Sequence, residues 1–549
     1  MGYASALHRV EVSMGGPMSN LNQELMKIID DLDFDKAFKR VKYDARYDFL
    51  RLPIEISIFE AHFEENIRFL KEAIEQEKYE VKNLRRIWVP KRGYFLRPGS
   101  IPHLEDRILF QAIVDKISGE LEALLPPFEQ QVVFSSRLTQ DPQSKSLFRH
   151  PRNLWIEFQK KAVEYCEEAD TQFVLVSDIA SYFENIDLRL LADTLTSSGI
   201  SFVYVEAIRQ ILTKWANGRT RGLPQMLAPC SLLGNVYLSQ IDKSMVLFGY
   251  KYIRYVDDIR IFVPSQIALR QALLDLTDQL KNCYLDVQSS KTQFYTSAEH
   301  KEDLTILKRH FAEAGIDESE DIDSLYFQDP EFFEDTELTE EMLGEQVQDE
   351  NLMRFLQNIL SNQYQYDDRH LRYCINRLGL KKNPAARELV LSRLRDMPQE
   401  TATFVGYLSR IRQSERNEET VEHIINFLTS DFNIYDWQMM WLLIFLIRCE
   451  RISQAQLEAL FKKEILQRHP VNRALLSYLL CSKGDLTLQR LCINRYGQEQ
   501  SIEVKIAILC GVFNLEKKER NRFYAMAGGG RQINQLITIL KNRWIEFCN

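Results

Sequence analysis

Nine cysteines are scattered along this 549-residue chain, and no two of them stand at Cys-x-x-Cys spacing. That absence argues against a structural zinc site and against the disulfide scaffold of a secreted protein. Each cysteine reads first as a small buried hydrophobe. Long apolar runs are missing as well. The most apolar one, Trp437 to Ile447, is about half of the ~20 residues that a membrane span needs, and it reads as a buried helix. No secretory leader is visible, and Ala6 stands where an N-myristoylation signal wants Ser or Thr. Residues 1–17 read as a tail added to the fold, with Met18 as its natural start. Together these absences point to a reducing cytoplasm and away from a membrane.

The positive charge expected of a nucleic-acid binder is lacking too. Lys and Arg number 69 against 78 Asp and Glu, a net charge of −9. The average conceals one block: Asp317 to Glu350 carries about fifteen acidic residues and no Lys or Arg, leaving the remainder near +6. A basic groove elsewhere is therefore permitted. What is present, 45% hydrophobic and 27% charged residues, suits an ordinary globular protein with a large core, and the length calls for two or more domains.

Three regions differ in texture. Residues 20–165 are helical in pattern, apart from an extended, basic, aromatic stretch from Arg85 to Pro98 whose Lys91-Arg92-Gly93 reads as a hairpin turn. From 170 to 300, short β-like runs alternate with helices. Phe173 to Val176 is a strand ending at Asp178, Tyr252 to Val263 is a strand pair folded about Val256-Asp257-Asp258, and Ser231 to Leu238 is helical. Residues 351–549 read as amphipathic helices without strands. In that half Cys374-Ile375-Asn376-Arg377 recurs as Cys492-Ile493-Asn494-Arg495, about three units of ~39 residues apart, which suggests stacked helical repeats.

Adjacent aspartates at a tight turn, as in Tyr255-Val256-Asp257-Asp258, repel each other and raise each other's pKa. Two divalent cations ~3.5–4 Å apart would compensate that repulsion and could stabilise the attacking and leaving oxygens of phosphoryl transfer. Alone, the motif also fits a solvated hairpin tip. Asp178, ending a neighbouring strand, is placed to supply a third ligand, whereas Asp187 reads as a helix cap. Between them Gly222-Leu223-Pro224-Gln225-Met226 opens a helix, where a Gly/Pro turn lets backbone and the Gln225 amide approach a base or sugar. An ordinary loop into a core helix is the competing reading.

Asp178 with Ile179 and Phe183, then Gly222-Leu223-Pro224-Gln225 with Asn235 and Leu238, then Tyr255-Val256-Asp257-Asp258 resemble, in order, the three central palm motifs of reverse transcriptases. Val89-Pro90-Lys91, Arg97-Pro98, Ile101-Pro102, Asp106-Arg107 and Gln111-Ala112 resemble the fingers of the bacterial, group-II-intron-like branch. Gln288-Ser289-Ser290-Lys291-Thr292 with Phe294 is similar to the motif that closes the palm. The resemblance spans residues 80–300 and implies an α+β fold. Right-hand fingers and palm would occupy 18–300, an acidic, thumb-like connector 301–350, and an all-α, HEAT-like repeat domain 351–549.

It also implies roles. Asp178, Asp257 and Asp258 would hold two Mg2+ (or Mn2+) ions, with the Ile179 carbonyl as an added ligand. Lys91 and Arg97 would neutralise the triphosphate of an incoming dNTP, although solvated hairpin charges are the alternative. Phe183 would exclude ribonucleotides, making the product DNA, unless it is simply a core aromatic. Gln225 would pack near nucleotide and template, Lys291 would protonate pyrophosphate, and Tyr255 would position the primer end. Two positions depart from the family: Met226 where Gly is usual, beside template and nucleotide, and Cys230 where Ser is usual. Unusual template handling is the expectation at Met226.

No endonuclease His/Asn/Cys cluster or ribonuclease H carboxylate set is present. A palm followed by a helical half resembles instead the abortive-infection and defence-associated reverse transcriptases of bacteria. That implies antiphage defence, DNA synthesis without a conventional template or from a protein hydroxyl, homo-oligomers, a phage trigger and, in some members, a noncoding RNA partner. The alternatives are RNA-templated copying of a cognate noncoding RNA and a catalytically silent nucleic-acid-binding scaffold.

Overall fold

The expected hairpin forms between β1 (Arg85–Pro90) and β2 (Leu96–Ile101), which pair antiparallel in the computed structural model. That structure describes residues 20–50, 53–314, 349–361, 368–411, 417–542 and 547. The leading tail and most of the acidic block, 315–348, lie outside the described residues. At the hairpin tip Gly93 has φ +76°, a conformation costly for any side chain but glycine's, and the Lys91 N–H donates to the Phe95 carbonyl at 2.7 Å. Ile87 and Val89 turn inward to the core while Arg86 and Trp88 face out, the period of two that a half-buried strand shows.

The palm sheet contains β3 (Phe173–Asp178), β4 (Lys251–Tyr255), β5 (Asp258–Val263) and β6 (Gln293–Thr296), in the order β4-β5-β3-β6 and antiparallel throughout. Both faces are covered, which is why Phe173 to Val176 reads as continuously apolar. Leu175, Ile259 and Ile261 share a core with the helices Ala228–Leu247 and Gln266–Asn282. On the other face Val174, Ile253 and Phe262 meet Phe158 of the helix Pro151–Glu167, together with Phe134.

C-terminal to residue 348 every described element is helical. The helices Asp368–Leu380, Thr401–Ile411, Asp436–Arg448, Pro470–Lys483, Ile502–Gly511 and Arg531–Asn542 form a row, each packed on the next. Their starts recur roughly every 33 residues, not every 39. Other helices such as Leu486–Tyr496 pack beside the row. Cys374 therefore lies in the row and Cys492 beside it, so the Cys-Ile-Asn-Arg echo does not mark equivalent helices. The apolar run at Trp437 is the buried helix expected, and no helix of the described residues is long and apolar enough to cross a membrane.

One apolar cluster ignores the boundary between the halves. It runs from Phe49, Leu50, Ile54, Ile87, Val89 and Ile101 into the helical row as far as Leu540. Polar contacts reinforce the seam. Arg85 is ion-paired with Glu55 and stands 3.6 Å from Glu503, all three nearly buried. The Gln535 amide donates to Asn66 at 2.9 Å, His469 Nε2 lies 2.9 Å from the Arg86 carbonyl, and Arg531 pairs with Glu105.

Candidate active site

Antiparallel register puts Asp178 at the end of β3 directly opposite Asp258 at the start of β5, so the two carboxylates share one sheet face. Asp257 occupies the turn between β4 and β5 and is hydrogen-bonded to Asp178. Burial, and then the charge and hydrogen bond of Asp178, push the Asp257 carboxyl up to about 7. Burial also raises Asp258, against the opposing pull of Arg260 at 3.6 Å. Lys291 meets the cluster from the loop before β6, ion-paired with Asp178. Burial works against the Lys291 ammonium, but the three carboxylates, Asp178 foremost, hold its pKa above the ordinary value. Thr292, bonded to Ser177 at 3.0 Å, ties that loop to β3.

The turn that aims Asp257 is strained and clamped. Val256 has φ +55°, rare for a β-branched residue. Its N–H donates to Ser135 Oγ and its carbonyl accepts from Arg254, each at 2.7 Å. Arg254 is fully buried, paired with the equally buried Asp242 at 2.7 Å and bonded to Asn235 at 3.0 Å. Asn235 in turn donates to the Ser135 carbonyl at 2.7 Å, and Tyr252 donates to Asp242 at 2.9 Å. A closed polar network inside the core thus fixes the turn. On the opposite face the helix Pro151–Glu167 backs it: the edge of Trp155 meets the Tyr255 ring at 5.0 Å, with Phe158 at 5.8 Å.

Other expected residues are distributed around this centre. The ladder beyond β3 uses the Asp178 carbonyl and the Ala180 N–H, bonded to Gln288 and Asp286, and leaves the Ile179 carbonyl out. Phe183 is half-buried beside Tyr182, 3.5 Å from where a side chain on Gly234 would begin. Gln225 and Met226 are half-buried on the turn after Gly222. Met226 has φ +64°, the left-handed region that favours glycine, and its side chain packs on the cluster shared by hairpin and helical row. Lys91 is exposed at the hairpin tip, while the Arg97 guanidinium lies over the Phe49 ring at 4.5 Å. Asp187 caps the helix Leu188–Ser197 by accepting from Arg189 and Leu190, as expected. Cys230 is buried, and burial pushes its thiol pKa up.

Asp242, Arg254, Ser135, Trp155 and Arg260 escaped the sequence reading. The available signal was a cation flanked by apolar or aromatic strand residues, twice: Arg254 between Ile253 and Tyr255 in β4, and Arg260 between Ile259 and Ile261 in β5.

Among the described residues no three His, Cys, Asp or Glu side chains stand together as a finished metal cage. The reason is local: Asp178 is turned to Lys291, Asp258 to Arg260, and Asp257 to Asp178. The donor set nevertheless suits divalent cations. Three carboxylates converge, one with its pKa raised by burial and by Asp178, and Asp258 Oδ1 is shielded from solvent and accepts no hydrogen bond.

An antiparallel palm with carboxylates at the ends of adjacent strands, beside a fingers hairpin, is the fold of a palm-type polymerase. Residues 89–315 match the reverse transcriptase (RNA-dependent DNA polymerase) family, and the chain carries a domain of that family there. The matched stretch takes in the palm sheet and all three carboxylates. The chain is also similar to telomerase from Candida albicans, solved in complex with a TWJ fragment of telomeric RNA. That match has 12% identity and a TM-score of 0.30, and covers 64% of this chain and 62% of that one. Apo telomerase from Candida tropicalis matches at 12% identity and a TM-score of 0.30, covering 64% and 66%. This chain thus spans less than two thirds of either telomerase chain. No curated protein matches it in sequence.

Proposed function

We propose that the protein is a DNA polymerase that joins deoxynucleotides at Asp178, Asp257 and Asp258 and serves antiphage defence. The convergence of these three carboxylates, with the Asp257 carboxyl driven up to about 7, carries the reading. Like-charged groups enclosed together are a liability unless cations offset them. Mg2+ or Mn2+ would be held by Asp178, Asp257, Asp258 and the Ile179 carbonyl, and would supply charge stabilisation for phosphoryl transfer. Lys291, paired with Asp178, is the nearest cation to that centre and suits protonation of the leaving pyrophosphate. Phe183 beside the Gly222 turn suits exclusion of a ribose 2′-hydroxyl, with Gln225 against the base. Lys91, exposed at the tip, suits the triphosphate, with Arg97 on the same hairpin beneath it. Tyr255, wedged against Trp155, suits support of the primer end.

The helical half, a row of stacked helices, supports the defence reading by its likeness in layout to the defence-associated enzymes. In that setting a phage trigger and assembly into homo-oligomers belong to the proposal. The template is either a cognate noncoding RNA or none, the latter with synthesis starting on a protein hydroxyl. Purified protein given Mg2+ and labelled dNTPs, with and without primer, template and RNase pretreatment, separates these modes. Product attached to protein and resistant to RNase means self-primed, template-independent synthesis, and product lost with RNase means a bound RNA. The double variant Asp257→Asn/Asp258→Asn should lose all synthesis and all protection in cells. A variant that still protects would leave only the nucleic-acid-binding scaffold.

A further inference from the structure

Arg260 lies two residues past Asp258 on the same face of β5, buried behind it. Its side chain is 6% exposed. The guanidinium is fixed on three sides by distinct groups. It lies over the Phe158 ring at 4.2 Å, its Nη1 donates to Gln159 Oε1 at 3.0 Å, and its Nη2 stands 3.6 Å from Asp258 Oδ2. Phe158 and Gln159 both belong to the helix Pro151–Glu167, the same helix whose Trp155 backs Tyr255. The two oxygens of Asp258 therefore differ. Oδ2 faces a buried cation, and Oδ1 is shielded and accepts no hydrogen bond.

We infer that Arg260 is a positioning residue that engages one oxygen of Asp258, so that this carboxylate presents a single oxygen, at reduced charge, to a divalent cation. The inference rests on the metal-dependent reading above. A buried cation less than 4 Å from a ligand carboxylate weakens the hold of that carboxylate on a second cation, because Coulomb repulsion inside protein is far less screened than in water. It also fixes the carboxylate's rotation, since the planar fork is itself held by ring and amide. Arg260 thus trades affinity for geometry: the ion would be held more loosely, by a carboxylate kept in one orientation.

Mn2+ binding to the full chain, followed by the electron paramagnetic resonance of the free ion, reads the first effect apart from catalysis. Arg260→Gln should bind Mn2+ at least about fivefold more tightly than the wild type while turnover falls at least about tenfold. Arg260→Lys, which keeps the charge, should stay within about twofold of wild-type Mn2+ affinity. In an Asp258→Asn background the shift in Mn2+ affinity on Arg260→Gln should be clearly smaller. Gln159→Leu, a partly exposed site that tolerates change, should lower turnover and leave Mn2+ affinity alone.

Unchanged or weaker Mn2+ affinity in a folded Arg260→Gln protein overturns the inference, as does an equal shift in the Asp258→Asn background. If Arg260→Gln does not fold, wild-type turnover in Gln159→Leu overturns the positioning role by itself. A wild-type protein that binds no Mn2+ removes the metal reading and this one together, whereas normal binding that Arg260→Gln does not alter removes this one alone.

Discussion

Asp257 keeps a proton at pH values where a free aspartate has lost it, because burial and the neighbouring Asp178 carboxylate oppose its ionisation. Between about pH 4 and 7 the folded chain therefore holds a proton that the unfolded chain releases, and rising pH withdraws stability. Thermal unfolding in the presence of EDTA should show a midpoint that falls by a few degrees as the buffer moves from about pH 5 to pH 8. Asp257→Asn should flatten that slope, and Mg2+ should restore the midpoint at the alkaline end. A wild-type midpoint that rises over this range would contradict the raised pKa. At this scale the sequence was informative where chemistry forces a pattern. An apolar strand ending in a carboxylate, opposite a turn with two more, has few innocent explanations. Met226 was legible only as a departure. That it adopts a left-handed backbone, and reaches the core shared with the helical row, depends on contacts no local pattern records.

Strands and helices near the Val256-Asp257 turn are held by a polar network rather than by apolar packing alone. Arg254 carries the largest share, since it links Asp242, Asn235 and the Val256 carbonyl. Arg254→Met should destabilise the fold by about 3–5 kcal/mol, because Asp242 would stay buried and unpaired. Asp242→Leu combined with Arg254→Met should recover a large part of that loss in chemical unfolding. Equal loss in the single and double variants would show that the pair does not act as a unit. The hairpin, the palm strands and the long helices were visible in advance because each is long, periodic or bounded by turn residues. The network was not. A cation in a strand looks the same from sequence whether it faces water or a buried aspartate, and its partner here lies on a different element.

The molecule as a whole is less divisible than its texture suggests. Phe49, Leu50, Ile54, Ile87, Val89 and Ile101 belong to the fingers by position and to the helical row by packing. A chain ending at residue 314 should therefore expose that face, bind a hydrophobic dye, self-associate and show no nucleotidyl transfer, although all three carboxylates are present. A truncated chain that is monomeric and active would show that the seam is dispensable. Sequence separated the halves because composition changes sharply at the acidic block. It could not show that they share a core, since the pairs that build it, such as Arg85 with Glu503, are hundreds of positions apart. The Cys-Ile-Asn-Arg echo shows the opposite hazard. Four matching residues suggested a repeat, but the helices that stack recur at another interval.

That seam has a consequence for how the protein is made. On the ribosome the fingers hairpin emerges well before Glu503, Arg531 and Gln535, which fasten it and its surroundings from more than four hundred residues further along the chain. A nascent chain already carrying Asp178, Asp257 and Asp258 would still lack the brace behind its fingers. Synthesis of the helical row would then act as a licensing step, so that a message interrupted before it leaves the fingers unbraced.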